Sequence, residues 1–264
     1  MDMIGRVKRL PLYLRKRKND KIKFHKDIQE YISLSGDDEI FPYNKENEWP
    51  IISEYRATAG YLDEHYFLQD IWMAKKIITQ KVETHFDIGS RVDGFIAHLL
   101  SAGVKVNMID IRPLGIDVDG ILFTKGDATD LRNIKDNSIP SLSSLHVVEH
   151  FGLGRYGDTV DPKGWIKGLK AMQRIVQPGG YFYLSYPVGR ENKLCFNAHR
   201  VFEIHKAPEV LDQMELVEAA YIKNYVVTEI PINIFSHFTL NEDYACGMYI
   251  FRKKYNIHNY PLLK

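Results

Sequence analysis

Acidic residues, glycines and histidines follow a series of short apolar runs, and these residues are best able to bind a ligand or move a proton. In chain order they are Asp87, Gly89, Asp110, Asp127, Glu149 and His150. If the runs are parallel strands, these residues gather at one edge of a sheet, where open α/β sheets bind nucleotide-like ligands. Carboxylates there accept hydrogen bonds from hydroxyls or amines, and a glycine lets the ligand approach the backbone closely.

The segments around these residues alternate between strand-like and helix-like patterns. Predicted strands cover 84–87, 105–110, 121–125, 141–148 and 181–186, and predicted helices cover 60–78, 95–102 and 162–176. The alternation is typical of an α/β fold with a doubly wound, mostly parallel, Rossmann-like sheet. Segments 215–222 and 244–251 predict a closing antiparallel strand pair. Residues 178–180 (Pro-Gly-Gly) predict a turn, and Gln69 and Asp70 are expected at a helix surface rather than at the ligand.

The first 60 residues differ from the rest. Basic residues crowd positions 6–26, with Pro11 expected to interrupt any helix there, and positions 27–61 show no sustained period. We therefore predict a basic N-terminal segment and irregular lid over 1–60, followed by a catalytic domain over 61–264. The basic stretch indicates either a poorly ordered, solvated terminus or peripheral contact with an anionic membrane.

Composition excludes several classes of protein. A net charge of +1 over 264 residues argues against a chain-wide nucleic-acid surface. The 2 cysteines, Cys195 and Cys246, form no metal-binding pattern and suit a reduced, cytoplasmic compartment. No apolar run approaches the roughly 20 residues needed to span a bilayer.

The turn after the first predicted strand distinguishes between nucleotide ligands. It reads Gly89-Ser-Arg-Val-Asp-Gly94, without the G-x-G-x-x-G pattern that brings backbone amides to a pyrophosphate. Asp93 in this turn would repel a phosphate. S-adenosylmethionine has no phosphate and carries a sulfonium cation, so the turn favours this methyl donor over NAD.

The ordered series of motifs resembles that of class I S-adenosylmethionine-dependent methyltransferases. It comprises Phe86-Asp-Ile-Gly89, Asp110, Gly126-Asp127-Ala128 and residues 175–185, Ile-Val-Gln-Pro-Gly-Gly-Tyr-Phe-Tyr-Leu-Ser. The first motif, with His146–His150 and Gly154–Asp158, further resembles an uncharacterised branch associated with bacterial surface-polysaccharide genes. The second and third glycines usual in the superfamily are replaced here by Arg91 and Asp93.

The resemblance implies a role for each matching position. Asp87, Gly89 and Ser90 would line the methionine part of the donor, with Gly94 in the same turn and Arg91 near the donor's carboxylate. Asp110 would hold the ribose, Asp127 and Ala128 would flank the adenine, and His146 would lie under the sulfonium. The alternatives are a helix-capping role for Asp87 and a turn role for Asp127.

Methyl transfer to a hydroxyl also requires a base, and histidine is the usual one near neutral pH. His150 is the first candidate, with Glu149 either orienting it or acting as the base; alternatively, the pair caps the loop. His199 either contacts the acceptor or is an ordinary loop histidine. Asp158 and Asp161 could hold a metal with His150, but such carboxylates more often form turns, so no metal is predicted.

These observations together predict an S-adenosylmethionine-dependent methyltransferase, acting on a hydroxyl of a sugar or other small acceptor in surface-glycan biosynthesis. The alternative is a catalytically silent, methyltransferase-like scaffold at the membrane surface. An NAD-dependent sugar-modifying enzyme is disfavoured by the turn at Gly89.

Overall fold

The chain forms two compact units, Met1–Leu62 and Asp63–Lys264. The computed structural model describes residues 3–35, 41–57, 59–60 and 62–255, with backbone alone for 3–17 and for Arg56. No helix in these ranges is both long and apolar enough to cross a membrane.

A long helix dominates the first unit. Helix α1 (Met3–Ser35) is followed by short 3-10 turns at Lys45–Asn47 and Ser53–Arg56. The expectation that Pro11 interrupts the helix was wrong: α1 continues through it, since a proline removes one helical hydrogen bond and can kink a helix without ending it. Residues 27–35, predicted to be irregular, are also helical. Positions 1–2, 36–40 and 58 of the predicted N-terminal segment and lid lie outside the described residues, as does position 61 of the predicted catalytic domain.

The second unit is a layered α/β structure. Its helices are α2 (Glu64–Thr79), α3 (Ala97–Ser101), α4 (Gly164–Ile175), α5 (Lys206–Val210) and α6 (Ile232–Phe235). Its strands are β1 (Thr84–Ile88), β2 (Lys105–Asp110), β3 (Ile121–Lys125), β4 (Ile139–Leu145), β5 (Val176–Val188), β6 (Lys193–Cys195), β7 (His199–Val201), β8 (Met214–Lys223), β9 (Val226–Ile230) and β10 (Ala245–Lys253).

Within residues 62–255 the strands form an 8-stranded sheet of order β3-β2-β1-β4-β5-β10-β8-β9, with β6 and β7 as a separate hairpin. Strands β3, β2, β1, β4 and β5 are parallel, whereas β10, β8 and β9 pair antiparallel. The mostly parallel sheet and the antiparallel pair, here β8 with β10, are therefore confirmed. Strand β9 adds an edge that the sequence did not predict.

Helices cover both faces of the sheet. On one face α2 and α3 bury Met73, Ile77 and Leu99. On the other, α4 buries its apolar stripe, which includes Leu169 and Met172. Burial of each such side chain contributes about 2 kcal/mol, so these two layers fix the sheet whose edge carries the site.

Two local expectations were wrong. Gln69 and Asp70 are buried rather than at the surface of α2, because this helix packs closely on the sheet. There Gln69 donates to Asp70 at 3.0 Å and accepts a hydrogen bond from Ser185. The Pro-Gly-Gly segment lies inside β5, where Gly179 has a φ of +78° and the pairing with β4 shifts register. It is therefore a bulge in a continuous strand and not a turn.

Candidate active site

A cleft with a volume of about 90 Å³ opens at the carboxyl ends of the central parallel strands. It brings together the following residues singled out from the sequence: Gly89, Asp110, Asp127, Ala128, His146 and His150. Among the described residues, Asp87, Ser90, Arg91, Gly94, Glu149 and His199 do not line it.

Asp87 lies beneath the cleft and shapes the first turn. Its carboxylate accepts hydrogen bonds from the Ser90 backbone N–H at 3.0 Å, the Ser90 hydroxyl at 2.8 Å and the Ser143 hydroxyl. Burial raises the pKa of Asp87 to about 6, although these hydrogen bonds oppose the shift. Asp87 and Ser90 therefore hold the turn in place, as a capping acid and its partner do.

Gly89 forms a bare stretch of backbone in the cleft wall. Its φ is +71°, and a Cβ there would lie 3.0 Å from Cγ1 of Val147. Both the backbone conformation and the space therefore require glycine, and a ligand can approach the main chain closely here.

The rest of the first turn points elsewhere. Arg91 forms a bidentate ion pair with Asp93, at 3.0 and 2.8 Å, and both side chains are 69% exposed. A Cβ on Gly94 would lie 2.5 Å from Oδ2 of Asp70, so this glycine allows α2 to pack against the turn. Arg91 therefore pairs with Asp93 within the turn, and Gly94 lets α2 pack against the turn.

Asp110 forms the rim of the cleft at the end of β2. Its carboxylate accepts hydrogen bonds from the Arg112 guanidinium at 3.0 and 2.7 Å and from the Arg112 backbone N–H at 2.8 Å. Burial alone would raise the pKa of Asp110, but these bonds outweigh it and the pKa lies below its usual value. The Arg112 guanidinium also lies 4.8 Å from the Tyr156 ring. Asp110 is therefore an ionised acceptor with its orientation fixed.

Asp127 and Ala128 form the wall after β3. Only Oδ1 of Asp127 has partners within the described residues, the Thr129 backbone N–H at 2.8 Å and hydroxyl at 2.7 Å. The second oxygen can accept a hydrogen bond from a ligand. Ala128 is 9% exposed and packs into the core. Asp127 therefore combines the turn role with an unused acceptor in the cleft.

His146 and Glu149 form a buried pair at the end of β4. Nδ1 of His146 is 3.0 Å from Oε1 of Glu149. Burial alone lowers the pKa of His146, but the Cys246 sulfur and the Glu149 carboxylate outweigh burial and hold it well above the usual value. His146 also has a φ of +54°, which is rare outside glycine, and its ring lies 5.1 Å from that of Tyr66.

His150 has the geometry of a general base. Its Nδ1 is 2.8 Å from the carbonyl oxygen of Ala198, which can only accept, so Nδ1 carries the proton and Nε2 the lone pair. Burial lowers the pKa of His150, and Arg155 adds to that effect against the opposing charge of Glu149. The ring is therefore neutral at pH 7. Nε2 lies 3.8 Å from Oε1 of Glu149, close enough for that carboxylate to stabilise the protonated ring.

His199 lies in β7, away from the cleft. Its ring centroid is 5.7 Å from that of Tyr244, which in turn stacks on His65 at 5.4 Å. The next residue, Arg200, donates a hydrogen bond of 2.7 Å to the carbonyl of Phe151. The hairpin thus supports the loop that carries His150, and His199 packs among aromatic side chains.

Asp158 and Asp161 hold the glycine-rich loop together. Asp158 accepts hydrogen bonds from backbone N–H groups of the loop, including Gly152 at 2.9 Å. Asp161 accepts from the Lys163 N–H at 2.9 Å. Both carboxylates thus serve turns. Across the described residues, no group of three or more metal-binding side chains is present.

Sequence reasoning missed Arg112, Thr129 and Tyr156. Arg112 lies two positions after Asp110, and Thr129 lies two positions after Asp127. A local sequence pattern could therefore have predicted both hydrogen bonds. Tyr156 had none, because its place beside Arg112 and 5.6 Å from the His150 ring depends on how the loop folds.

The residues of the cleft suit S-adenosylmethionine. Ile109, Val147 and Phe151 give it apolar walls, while Asp110 and Asp127 place carboxylates at the rim. Arg112, which could have attracted phosphate, is paired with Asp110. Apolar walls, bare backbone and acceptors for hydroxyls and amines match a nucleoside without phosphates.

Comparison of the sequence with known proteins gives one partial match. No curated protein matches the sequence. Residues 131–237 match a family described as Caenorhabditis protein of unknown function, DUF268.

Solved structures give a broader match. A complex of the Haloferax volcanii Trm112 methyltransferase activator with a candidate methyltransferase shares 14% identity, covering 74% of this chain and 93% of that one, with a TM-score of 0.50. A candidate methyltransferase from Bacillus halodurans shares 14%, covering 70% and 99%, also at 0.50. The 4+2 cyclase SpnF shares 12%, covering 71% and 82%, at 0.50. The chain therefore has the Rossmann-like fold of class I methyltransferases, and the presence of a cyclase shows that this fold does not by itself define the reaction.

Proposed function

We propose that this protein is an S-adenosylmethionine-dependent methyltransferase that acts on a hydroxyl group. The observation that carries the proposal is His150, which lines a cleft with Asp110 and Asp127 at its rim and whose Nδ1–H donates to the Ala198 carbonyl, so that Nε2 carries the lone pair. When bound, S-adenosylmethionine supplies an electrophilic methyl group. The fold adds support, since proteins described as methyltransferases share it.

Each cleft residue has a role in this proposal. Asp110 accepts hydrogen bonds from the ribose hydroxyls, and Asp127 uses its unpaired oxygen for the adenine amino group. Gly89 lets the donor lie against the backbone. These contacts orient the donor, and orientation is the main requirement of an in-line displacement.

His150 handles the proton. As the acceptor oxygen forms its bond to the methyl carbon, the hydroxyl proton passes to Nε2 of His150. Glu149, with Oε1 at 3.8 Å, stabilises the resulting imidazolium. A hydroxyl acceptor needs this base because its own pKa is far above 7, and histidine can supply it near neutral pH.

We further propose that the acceptor is a sugar or another small polyol of glycan biosynthesis. The support for this narrower proposal is the motif resemblance at residues 146–150 and 154–158. It is tested by incubating the protein with tritiated methyl donor and panels of monosaccharides, nucleotide sugars, amines and thiols. Label incorporated into amines or thiols alone would contradict a hydroxyl acceptor.

Donor binding tests the proposed function first. Calorimetric titrations with S-adenosylmethionine, S-adenosylhomocysteine, NADH and ATP should give micromolar binding for the first two and much weaker binding for the others. The phosphates of NADH and ATP would meet Asp110 and Asp127. Tighter binding of NADH would instead favour a dehydrogenase.

A silent scaffold at a membrane is the second candidate. The observation that favours it is the continuous helix α1, whose sequence is strongly basic over positions 6–26. A scaffold would pellet with anionic vesicles through this segment and would lack methyl transfer to every acceptor in the panel. A truncation lacking residues 1–26 should then lose vesicle binding while a donor-binding cleft stays intact.

A further inference from the structure

The Glu149 carboxylate lies between two imidazole rings. Its Oε1 is 3.0 Å from Nδ1 of His146 and 3.8 Å from Nε2 of His150. The side chain is 2% exposed, and its Oε2 has no hydrogen-bond partner among the described residues. Within the described residues, few contacts therefore hold this carboxylate in place.

His146 supplies the contact that holds the carboxylate. Two arginines lie nearby, but Arg200 reaches the backbone carbonyl of Glu149 at 3.4 Å and Arg155 donates to Ala198 at 2.6 Å. Within the described residues, the one hydrogen bond to the Glu149 carboxylate comes from His146. The position of the Glu149 carboxylate therefore depends on His146.

The backbone at His146 is arranged for this contact. Its φ of +54° is unfavourable for histidine and persists only where the surroundings fix it. Here the His146 N–H donates to the Ser185 carbonyl at 3.0 Å and to its hydroxyl at 3.2 Å. Strand β5 thus holds the residue so that its ring faces Glu149.

We propose that His146 is a positioning residue for the base. Through Nδ1 it holds the Glu149 carboxylate in place, and Glu149 in turn stabilises His150 once His150 has taken the acceptor's proton. The hydroxyl proton moves to Nε2 of His150, where the Glu149 carboxylate 3.8 Å away stabilises the added charge, while the His146 proton stays on Nδ1. The inference rests on the proposed function, since it takes His150 as the base.

Several other groups surround the two rings and must be considered in any titration. His150 faces Arg155 and Tyr156 of the glycine-rich loop and the Ala198 carbonyl of the hairpin. His146 faces His65, Tyr66 and Asp70 of α2, Cys246 of β10 and Tyr244 just before it. Within the described residues, Glu149 alone lies within ion-pair distance of both rings.

The test is an NMR titration of the His150 ring in protein without donor. In His146→Asn the Glu149 carboxylate should lose the hydrogen bond that holds it beside His150, so the pKa of His150 should shift below its wild-type value. Asparagine is chosen because it tolerates a positive φ. Glu149→Gln should give the same shift, and the double variant should add nothing to either. His237→Asn, at an exposed site, serves as the control and should leave the titration unchanged.

The opposite sign overturns the proposal. A pKa of His150 that rises in His146→Asn would mean that the Glu149 carboxylate keeps its place beside the His150 ring without His146. An unchanged titration, or shifts that add in the double variant, also overturns it. Should His146→Asn fail to fold, Glu149→Gln still provides the test, because the pKa of His146 must then fall. Calorimetry with S-adenosylhomocysteine on the same samples reports separately on the proposed function: the predicted shifts without donor binding would refute the methyltransferase alone.

Discussion

Asp110→Asn should weaken donor binding strongly while leaving the fold almost unchanged. The carboxylate is ionised and its side chain is 17% exposed at the cleft rim. A hydrogen bond from a hydroxyl to a charged acceptor contributes about 1.5 to 3 kcal/mol. Loss of that bond raises Kd by about 10-fold to about 150-fold, since each 1.4 kcal/mol is about tenfold.

The cost to stability should be small. The partner of Asp110, Arg112, is 53% exposed, and such an ion pair is worth at most about 1 kcal/mol. Asparagine keeps one oxygen for the Arg112 backbone N–H, so the turn after β2 should survive.

The assay is calorimetry with S-adenosylhomocysteine, paired with thermal unfolding. Arg112→Gln is the matched control, because it removes the same ion pair but keeps the carboxylate. Its Kd for donor should stay within about threefold of wild type, which is less than the tenfold change that corresponds to about 1.4 kcal/mol. If Asp110→Asn binds as tightly as wild type, or if both variants lose affinity equally, the reasoning about Asp110 is refuted.

Three other outcomes follow from the site. Gly89→Ala should lower the free energy of unfolding by about 1–3 kcal/mol and impair donor binding, because a positive φ and contact with Val147 both oppose a Cβ. Gly103→Ala is the control. Its φ is +80° and no atom lies within 4 Å of a Cβ there, so it should show only the loss of stability that comes from the backbone conformation. The rate of methyl transfer should be level from pH 7 to 8 and fall only below pH 6.5. The reason is that burial lowers the pKa of His150 from 6.5 and the base must be neutral. A rate that reaches half its maximum above pH 7 would contradict this prediction. The pKa of Asp87 is raised in the folded state, from 3.8 to about 6, so its stabilising contribution is complete below 3.8 and is lost as pH rises through 6. Denaturant titrations should therefore show wild type losing about 3 kcal/mol relative to Asp87→Asn between pH 4 and 6.5, and a pH-independent difference would mean that Asp87 has an ordinary pKa.

The sequence by itself determined the parallel sheet and the edge at which the cleft opens. Strands β1 to β4 each end beside a polar or glycine residue, and short apolar runs with breakers at their ends are local patterns. Because parallel strands place their carboxyl ends at one edge, Gly89, Asp110, Asp127 and His150 had to come together once the strands were identified. The helical spacing of its apolar residues likewise predicted α4.

Only the tertiary structure decided what each side chain does there. Asp87 and Arg91 belong to the same motif, yet one is fully buried under the turn and the other is paired with Asp93 in solvent. The proton on His150 is placed by the carbonyl of Ala198, 48 residues further along the chain. Spacing in a sequence determines which strand end a residue occupies. The hydrogen-bond partners and the burial of its side chain depend instead on how distant segments pack. Those partners and that burial set the charge and orientation of the side chain, on which the chemistry relies.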